Sequence, residues 1–216
     1  MSLYIQSFVF NALQENTYVV FDQESKETAI VDPGCYDTSE KQTVKDFIAD
    51  NELKIKYLLN THCHIDHVLG NKWVSQIYGV PLMIAPGEES VLRSVPLYAG
   101  LYGFEAYQPL EENILHFTTK SAILLGKYPF QILQVPGHSP AHVAFYQSEL
   151  NICLSGDVLF RGSIGRTDLP GGNFATLEKS IKTVLYTLPE ETTTFPGHGP
   201  QTTIGYEKRN NPFVRA

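Results

Sequence analysis

Between Thr61 and His67 the chain reads H-x-H-x-D-H, so that His62, His64, Asp66 and His67 put four imidazole or carboxylate side chains within six residues. Neutral imidazole nitrogens and carboxylate oxygens are the donor set of zinc and neighbouring divalent metals, and a water in an open position of such a site becomes the reactive group. Asp66 has a second reading as the cap of a helix starting near His67, and isolated histidines are commonly structural. Three histidines and an aspartate at this spacing are a motif instead, and they predict metal-dependent water chemistry. Of the seven histidines in the chain, His138 and His198 also fall in loops that directly follow stretches of strand character. His142 reads as structural or supporting, and His116 carries no functional signal.

The elements that must carry these residues alternate strand and helix periodicity. Tyr4 to Phe10, Tyr18 to Phe21 and Thr28 to Val31 are short alternating runs separated by turn residues, as in an antiparallel meander. After Asp32-Pro33-Gly34 the period changes, and Thr38 or Ser39 is expected to cap a helix with Val44, Phe47 and Ile48 on one face. Ile55 to Asn60 has strand length and runs straight into the histidine loop. A helical stretch through Val68, Trp73, Val74 and Ile77 follows, closed by Gly79, and Val80 to Ala85 reads as a strand. Pro86 to Glu112 shows no clear period and reads as a long loop, to which no residue role is given. Further strands are expected at Ala122 to Leu125, Phe130 to Val135, His142 to Gln147, Ile152 to Ser155 and Thr192 to Phe195, with a helix from about Phe174 to Leu188. Two sheets between helices, in one domain spanning 1–216, fit this order.

Composition removes other classes. With 43% hydrophobic residues in 216 the chain can bury a sizeable core, which excludes disorder, collagen and coiled coil. Sixteen basic against 23 acidic side chains give a net charge of −7, so nucleic acid and anionic membrane are not expected partners. Cys35, Cys63 and Cys153 are odd in number and far apart, which argues against a disulfide framework and for a reducing compartment. There is no basic leader and no apolar run of the ~18 residues that a membrane span needs, and the expected location is the cytoplasm. Nothing in the sequence bears on oligomeric state.

Five ordered segments resemble the metallo-β-lactamase-fold superfamily, and within it the short, single-domain glyoxalase II-like hydrolases. They are Val31-Asp32-Pro33-Gly34, Thr61 to His67, Pro136-Gly137-His138-Ser139-Pro140-Ala141-His142, Ser155-Gly156-Asp157-Val158-Leu159-Phe160 and Pro196-Gly197-His198-Gly199. The resemblance implies a mixed α/β (α+β) fold, a four-layer αββα sandwich. It also implies two divalent ions, with zinc the first expectation and iron or manganese the alternatives. His62, His64 and His138 would hold one ion, Asp66, His67 and His198 the other, and Asp157 would bridge them. A hydroxide shared by the ions would attack the substrate, with Asp66 and Asp157 as the catalytic carboxylates. Asp32 resembles a supporting acid that orients a ligating histidine, although Asp-Pro-Gly is also ordinary turn chemistry.

The resemblance further implies a small acyl-thiol substrate, S-lactoylglutathione first. A thiolate leaves without a dedicated general acid, and Cys63 is read as packing and not as a nucleophile. Arg166, in Gly165-Arg166-Thr167-Asp168, matches a basic position that grips the carboxylate of the thiol, with a loop ion pair as the plain alternative. Two-domain glyoxalase II enzymes add a helical domain that supplies much of the glutathione site. No counterpart follows His198, so the acyl and thiol groups stay open. Two other readings compete. One is a mononuclear-iron persulfide dioxygenase, which shares Gly165 to Asp168 but differs around Gly137 to His142. The other is a non-catalytic metal-binding scaffold, against which a seven-ligand set argues.

Overall fold

The computed structural model describes residues 2–118 and 121–215. They form two compact units, 2–118 with Leu124–Tyr128, and 121–123 with 129–215.

The first unit is a six-stranded sheet with helices. β1 (Leu3–Phe10), β2 (Glu15–Asp22) and β3 (Glu27–Val31) are the expected antiparallel meander. β4 (Lys54–Leu59), β5 (Leu82–Ile84) and β6 (Ile114–His116) then add parallel, in the order β1-β2-β3-β4-β5-β6. Between β3 and β4 runs α1 (Thr38–Asp50); α2 (Ile65–Val68) and α3 (Asn71–Tyr78) lie between β4 and β5, and α4 (Glu89–Tyr98) between β5 and β6. Val44 and Ile48 of α1, Val68 and Val74 of α2 and α3, and Leu92 and Val95 of α4 share one core with Val19, Ile30, Leu58 and Leu82 of the sheet. Each fully buried side chain of this size contributes about 1.5–3 kcal/mol.

The second unit repeats the plan with a different topology. β7 (Ile123–Leu125), β8 (Tyr128–Gln134), β9 (Val143–Gln147), β10 (Ile152–Gly156), β13 (Thr193–Pro196) and β14 (Thr202–Thr203) form a sheet in the order β14-β13-β10-β9-β8-β7. β10 and β13 run parallel, and the connection between them holds a small hairpin, β11 (Leu159–Phe160) and β12 (Ser163–Ile164), and α5 (Phe174–Thr183). α6 (Ile204–Asn210) follows β14. Leu177 and Ile181 of α5 pack with Ala144, Cys153, Val158 and Ile204 in a second core. The turn of the β7–β8 hairpin belongs to the first unit. There the Gly126 amide donates to Glu27 Oε2 at 2.9 Å, and Lys56 Nζ donates to the Leu124 carbonyl at 3.0 Å.

Four expectations need correction. The α1 cap is Asp37, one residue before Thr38, in a reciprocal capping box with Glu40. The expected Phe174 to Leu188 helix stops at Thr183; Val184 is its C-cap (φ −119, ψ −65), and Leu185 reaches the core from a 3-10 turn. Pro86 to Glu112 is not all loop, because α4 lies inside it with Leu92 and Val95 inward, its period disguised by Pro96 within the helix. β2 is longer than its apolar run: Glu15, Asn16 and Thr17 are buried strand residues despite their polarity. Among the described residues no helix is long and apolar enough to cross a membrane.

Candidate metal centre

In the first unit the chain leaves the sheet after Leu59 and enters the histidine loop before α2. His62 and His67 are fully buried, with ring centroids 4.2 Å apart, and the His62 and His64 rings meet edge-on at 4.8 Å. Asp66 Oδ2 lies 3.6 Å from His67 Nε2. The loop is shaped by Asp32, whose backbone is in the left-handed region (φ 50), which aspartate tolerates better than most residues. The Asp32 carboxylate accepts from the Thr61 amide (2.7 Å), the Thr61 hydroxyl (2.6 Å) and Asn60 Nδ2 (3.2 Å). Donor atoms of Asp32, His62 and His67 all lie within 4.8 Å of one another. With three donors already on it, Asp32 is suited to orienting the histidines.

These bonds fix which ring nitrogens face outward. The Thr61 hydroxyl gives its hydrogen to Asp32, so toward His62 Nδ1, 3.1 Å away, it can only accept. His62 therefore carries its hydrogen on Nδ1 and has its lone pair at Nε2. His67 Nδ1 faces Asp32 Oδ2 at 3.2 Å, which favours the same tautomer.

Further supports of this loop had no sequence signal. Asn60 Nδ2 also donates to the His67 carbonyl at 2.8 Å, and Glu88 Oε2 accepts the Cys63 amide at 2.9 Å, between the first two histidines. Glu15 is fully buried, 3.9 Å from His67 Nδ1, and burial raises its carboxyl pKa well above the ordinary value. Gly34 is required here, since a Cβ would lie 2.0 Å from Glu15 Oε2 and 2.5 Å from the Asp66 carbonyl. Burial pushes the Cys63 thiol far up, which keeps it protonated and unsuited to attack.

In the second unit three loops converge. His138 follows β8, Asp157 follows β10 and His198 follows β13. Asp157 Oδ2 lies 3.5 Å from His138 Nε2 and 3.5 Å from His198 Nε2. His138 Nδ1 is 2.7 Å from the Arg166 carbonyl, which can only accept, so His138 too has its lone pair at Nε2. His142 does not join the cluster through Nε2, because that atom accepts the Asp157 amide at 3.1 Å. The ring of Phe160 meets His198 edge-on at 6.2 Å. The Arg166 guanidinium forks onto Asp168, with bonds of 2.7 and 2.6 Å, and lowers the Asp168 pKa to about 2.

The donor sets fit divalent ions. Two ligand atoms each ~2.0–2.1 Å from a tetrahedral ion are about 3.4 Å apart. The carboxylate-to-imidazole separations of 3.5, 3.5 and 3.6 Å are near that value and long for direct hydrogen bonds. Each half also turns Nε2 lone pairs and carboxylate oxygens toward one another, an arrangement that a cation stabilises.

Comparison with known proteins agrees with this chemistry. The profile of the Metallo-beta-lactamase superfamily matches residues 10–198. The chain is 38% identical over 217 residues to a protein of Haemophilus influenzae named hydroxyacylglutathione hydrolase GloC, covering 98% of each. A solved structure titled TTHA1623 in a di-iron-bound form superposes with a TM-score of 0.85 at 37% identity, covering 97% of this chain and all of that one. Another, titled BLEG-1 B3 metallo-beta-lactamase, gives 0.86 at 32% identity over 99% of this chain and 100% of that one. The chain has the metallo-β-lactamase fold and belongs to the metallo-β-lactamase superfamily.

Proposed function

We propose that the protein is a metal-dependent thioester hydrolase of glyoxalase II type, acting on a small acyl-thiol of the S-lactoylglutathione kind. The likeness to the Haemophilus hydroxyacylglutathione hydrolase, which runs the length of both chains, carries this reading. His62, His64 and His138 would hold one divalent ion and Asp66, His67 and His198 the second, with Asp157 available to both. The donor set suits zinc, and the di-iron form of one structural relative supports iron as the alternative. Bound there, the ions supply a water ionised near neutral pH and neutralise the charge that develops on the carbonyl oxygen.

The remaining steps belong to the chain. Thr61, Asp32 and the Arg166 carbonyl keep hydrogens on the Nδ1 atoms, so the Nε2 atoms serve as ligands. Asp66 accepts the proton lost by the attacking water. The thiolate, with a parent pKa near ~8.5, departs without a side-chain acid. Arg166 offers its planar fork to a carboxylate of the thiol in exchange for Asp168. Residues 1–216 are read as one catalytic domain, supported by a family match that runs through both units. Three buried free thiols and the charge of −7 support a cytoplasmic protein with no nucleic-acid partner.

The test pairs metal analysis with the loss of thioester absorbance over a panel of acyl-thiols. About two ions per chain and turnover led by S-lactoylglutathione are expected. About one iron per chain with dioxygen uptake on a persulfide overturns the reading, as does β-lactam cleavage without thioesterase activity. Inert substrates with intact metals would favour a scaffold.

A further inference from the structure

Glu207, in α6, is fully buried, yet it lies outside the candidate metal centre. A buried carboxylate is costly unless it is well hydrogen-bonded, and an apolar replacement is often no less stable. Its bonds converge on one feature. Glu207 Oε1 and Oε2 accept the Gly162 amide at 3.2 and 3.0 Å, in the turn of the β11–β12 hairpin. The carboxylate also accepts from the Thr202 hydroxyl (2.5 Å) and from Asn211 Nδ2 (2.8 Å). Asn211 Nδ2 in turn donates to the Ser163 carbonyl of the same hairpin at 3.0 Å. Two side chains near the carboxy-terminal end thus grip an amide and a carbonyl of one hairpin.

That hairpin links parts of the candidate centre. It begins two residues after Asp157. Just beyond it the Gly165 amide donates to the Val158 carbonyl at 3.3 Å, and a Cβ on Gly165 would lie 1.9 Å from the Asp157 carbonyl and 3.1 Å from His138 Nδ1. Arg166, the next residue, supplies the carbonyl on His138 Nδ1. Phe160, in β11, packs against His198. A shift of the turn would be passed to Asp157 and the Arg166 carbonyl through tightly packed backbone at Gly165, and to His198 through the Phe160 ring.

We propose that Glu207 and Asn211 are positioning residues, which clamp the β11–β12 turn and so hold Asp157 and the Arg166 carbonyl where His138 and Asp157 can share a metal. The proposal rests on reading those two residues as ligands, but not on the identity of the substrate.

The experiment uses the full chain carrying Glu207→Gln or Asn211→Ala, with Arg209→Ala as the control. Arg209 is on the same helix, and its guanidinium bonds exposed Glu190. Two quantities are read: Zn2+ affinity by chelator competition, and the tautomer of His138 by imidazole 15N shifts in metal-free protein. The expected result is a loss of about 10–100-fold in affinity in both test variants, the usual effect of removing outer support from a metal ligand. Mixed Nδ1–H and Nε2–H tautomers at His138 are expected with it, and Arg209→Ala should change neither. Folded test variants with unchanged affinity and an unmixed His138 tautomer overturn the proposal. An equal loss in Arg209→Ala overturns it too, because helix stability alone then accounts for the effect. Loss of thioesterase activity is not used as a readout, so failure of the substrate assignment leaves this result standing.

Discussion

The two units present their candidate ligands in contrasting ways. In the first, four side chains lie within six residues, on the loop after β4 and in α2, supported by side chains: Asp32 on Thr61 and Asn60, and Glu88 on the Cys63 amide. In the second, three side chains come from three separate loops and are held largely through main chain: the Arg166 carbonyl on His138 and the Asp157 amide on His142. A loop of consecutive ligands cannot order itself, so buried acids do it. Ligands at the ends of neighbouring strands inherit their spacing from the sheet and need mainly fine adjustment.

Substitutions can break or sharpen this contrast. The largest effect is expected for Asp157→Ala, which removes an oxygen 3.5 Å from two imidazoles at once. Metal affinity should fall by more than the ~10–100-fold typical of a supporting residue; a smaller loss by chelator competition would deny Asp157 its shared role. Next, Asp32→Ala should cost about 10–100-fold in metal affinity through the first-unit histidines. It should also cost about 1–3 kcal/mol of stability for each buried donor left without its acceptor, measured by urea unfolding of metal-free protein. If affinity were unchanged, side-chain support would not be what sets the first loop.

A smaller effect should follow Gly165→Ala. The added methyl would press on the Asp157 carbonyl, costing about 1–3 kcal/mol and lowering metal affinity; an unchanged melting temperature would mean the main chain there has room to yield. Smaller still is the Arg166–Asp168 pair, which is exposed. The Asp168 pKa is depressed to about 2 by Arg166, so the pair helps the fold above the ordinary value of 3.8 and loses that help as pH falls through about 2. In Arg166→Gln the Asp168 midpoint, read by carboxyl NMR, should rise toward the ordinary value of 3.8 without reaching it, because a backbone hydrogen bond also holds it down. A midpoint that stays low would place its cause elsewhere.

What could be read from sequence follows the same contrast. His62, His64, Asp66 and His67 announce themselves because they are adjacent. His138, Asp157 and His198 are scattered: their place after strands marked the two histidines, and resemblance to a family added Asp157 and joined all three to the set. Asn60, Thr61 and Glu88 act through bonds to partners far along the chain, such as Cys63 and Glu88 at a separation of 25 positions, and such pairings leave no periodic trace. Most longer strands and α1, α3 and α5 were legible from their apolar period. The two-residue strands β11, β12 and β14 are too short to have one, and α6 is mostly polar along its seven residues. Glu15 and Thr17 misled in the other direction: polar residues at the start of a strand are usually exposed, whereas these are buried, with Thr17 bonding both the Glu15 carboxylate and the Asp32 carbonyl.

The turn at Leu124–Tyr128 limits how the gene can be divided. A truncated product that stopped before this turn would strip Glu27 of the Gly126 amide and Lys56 of the Leu124 carbonyl, and Ser2 of the Tyr128 hydroxyl 3.0 Å away. An amino-terminal fragment that runs beyond Tyr128 should therefore resist urea better than one that stops before Leu124.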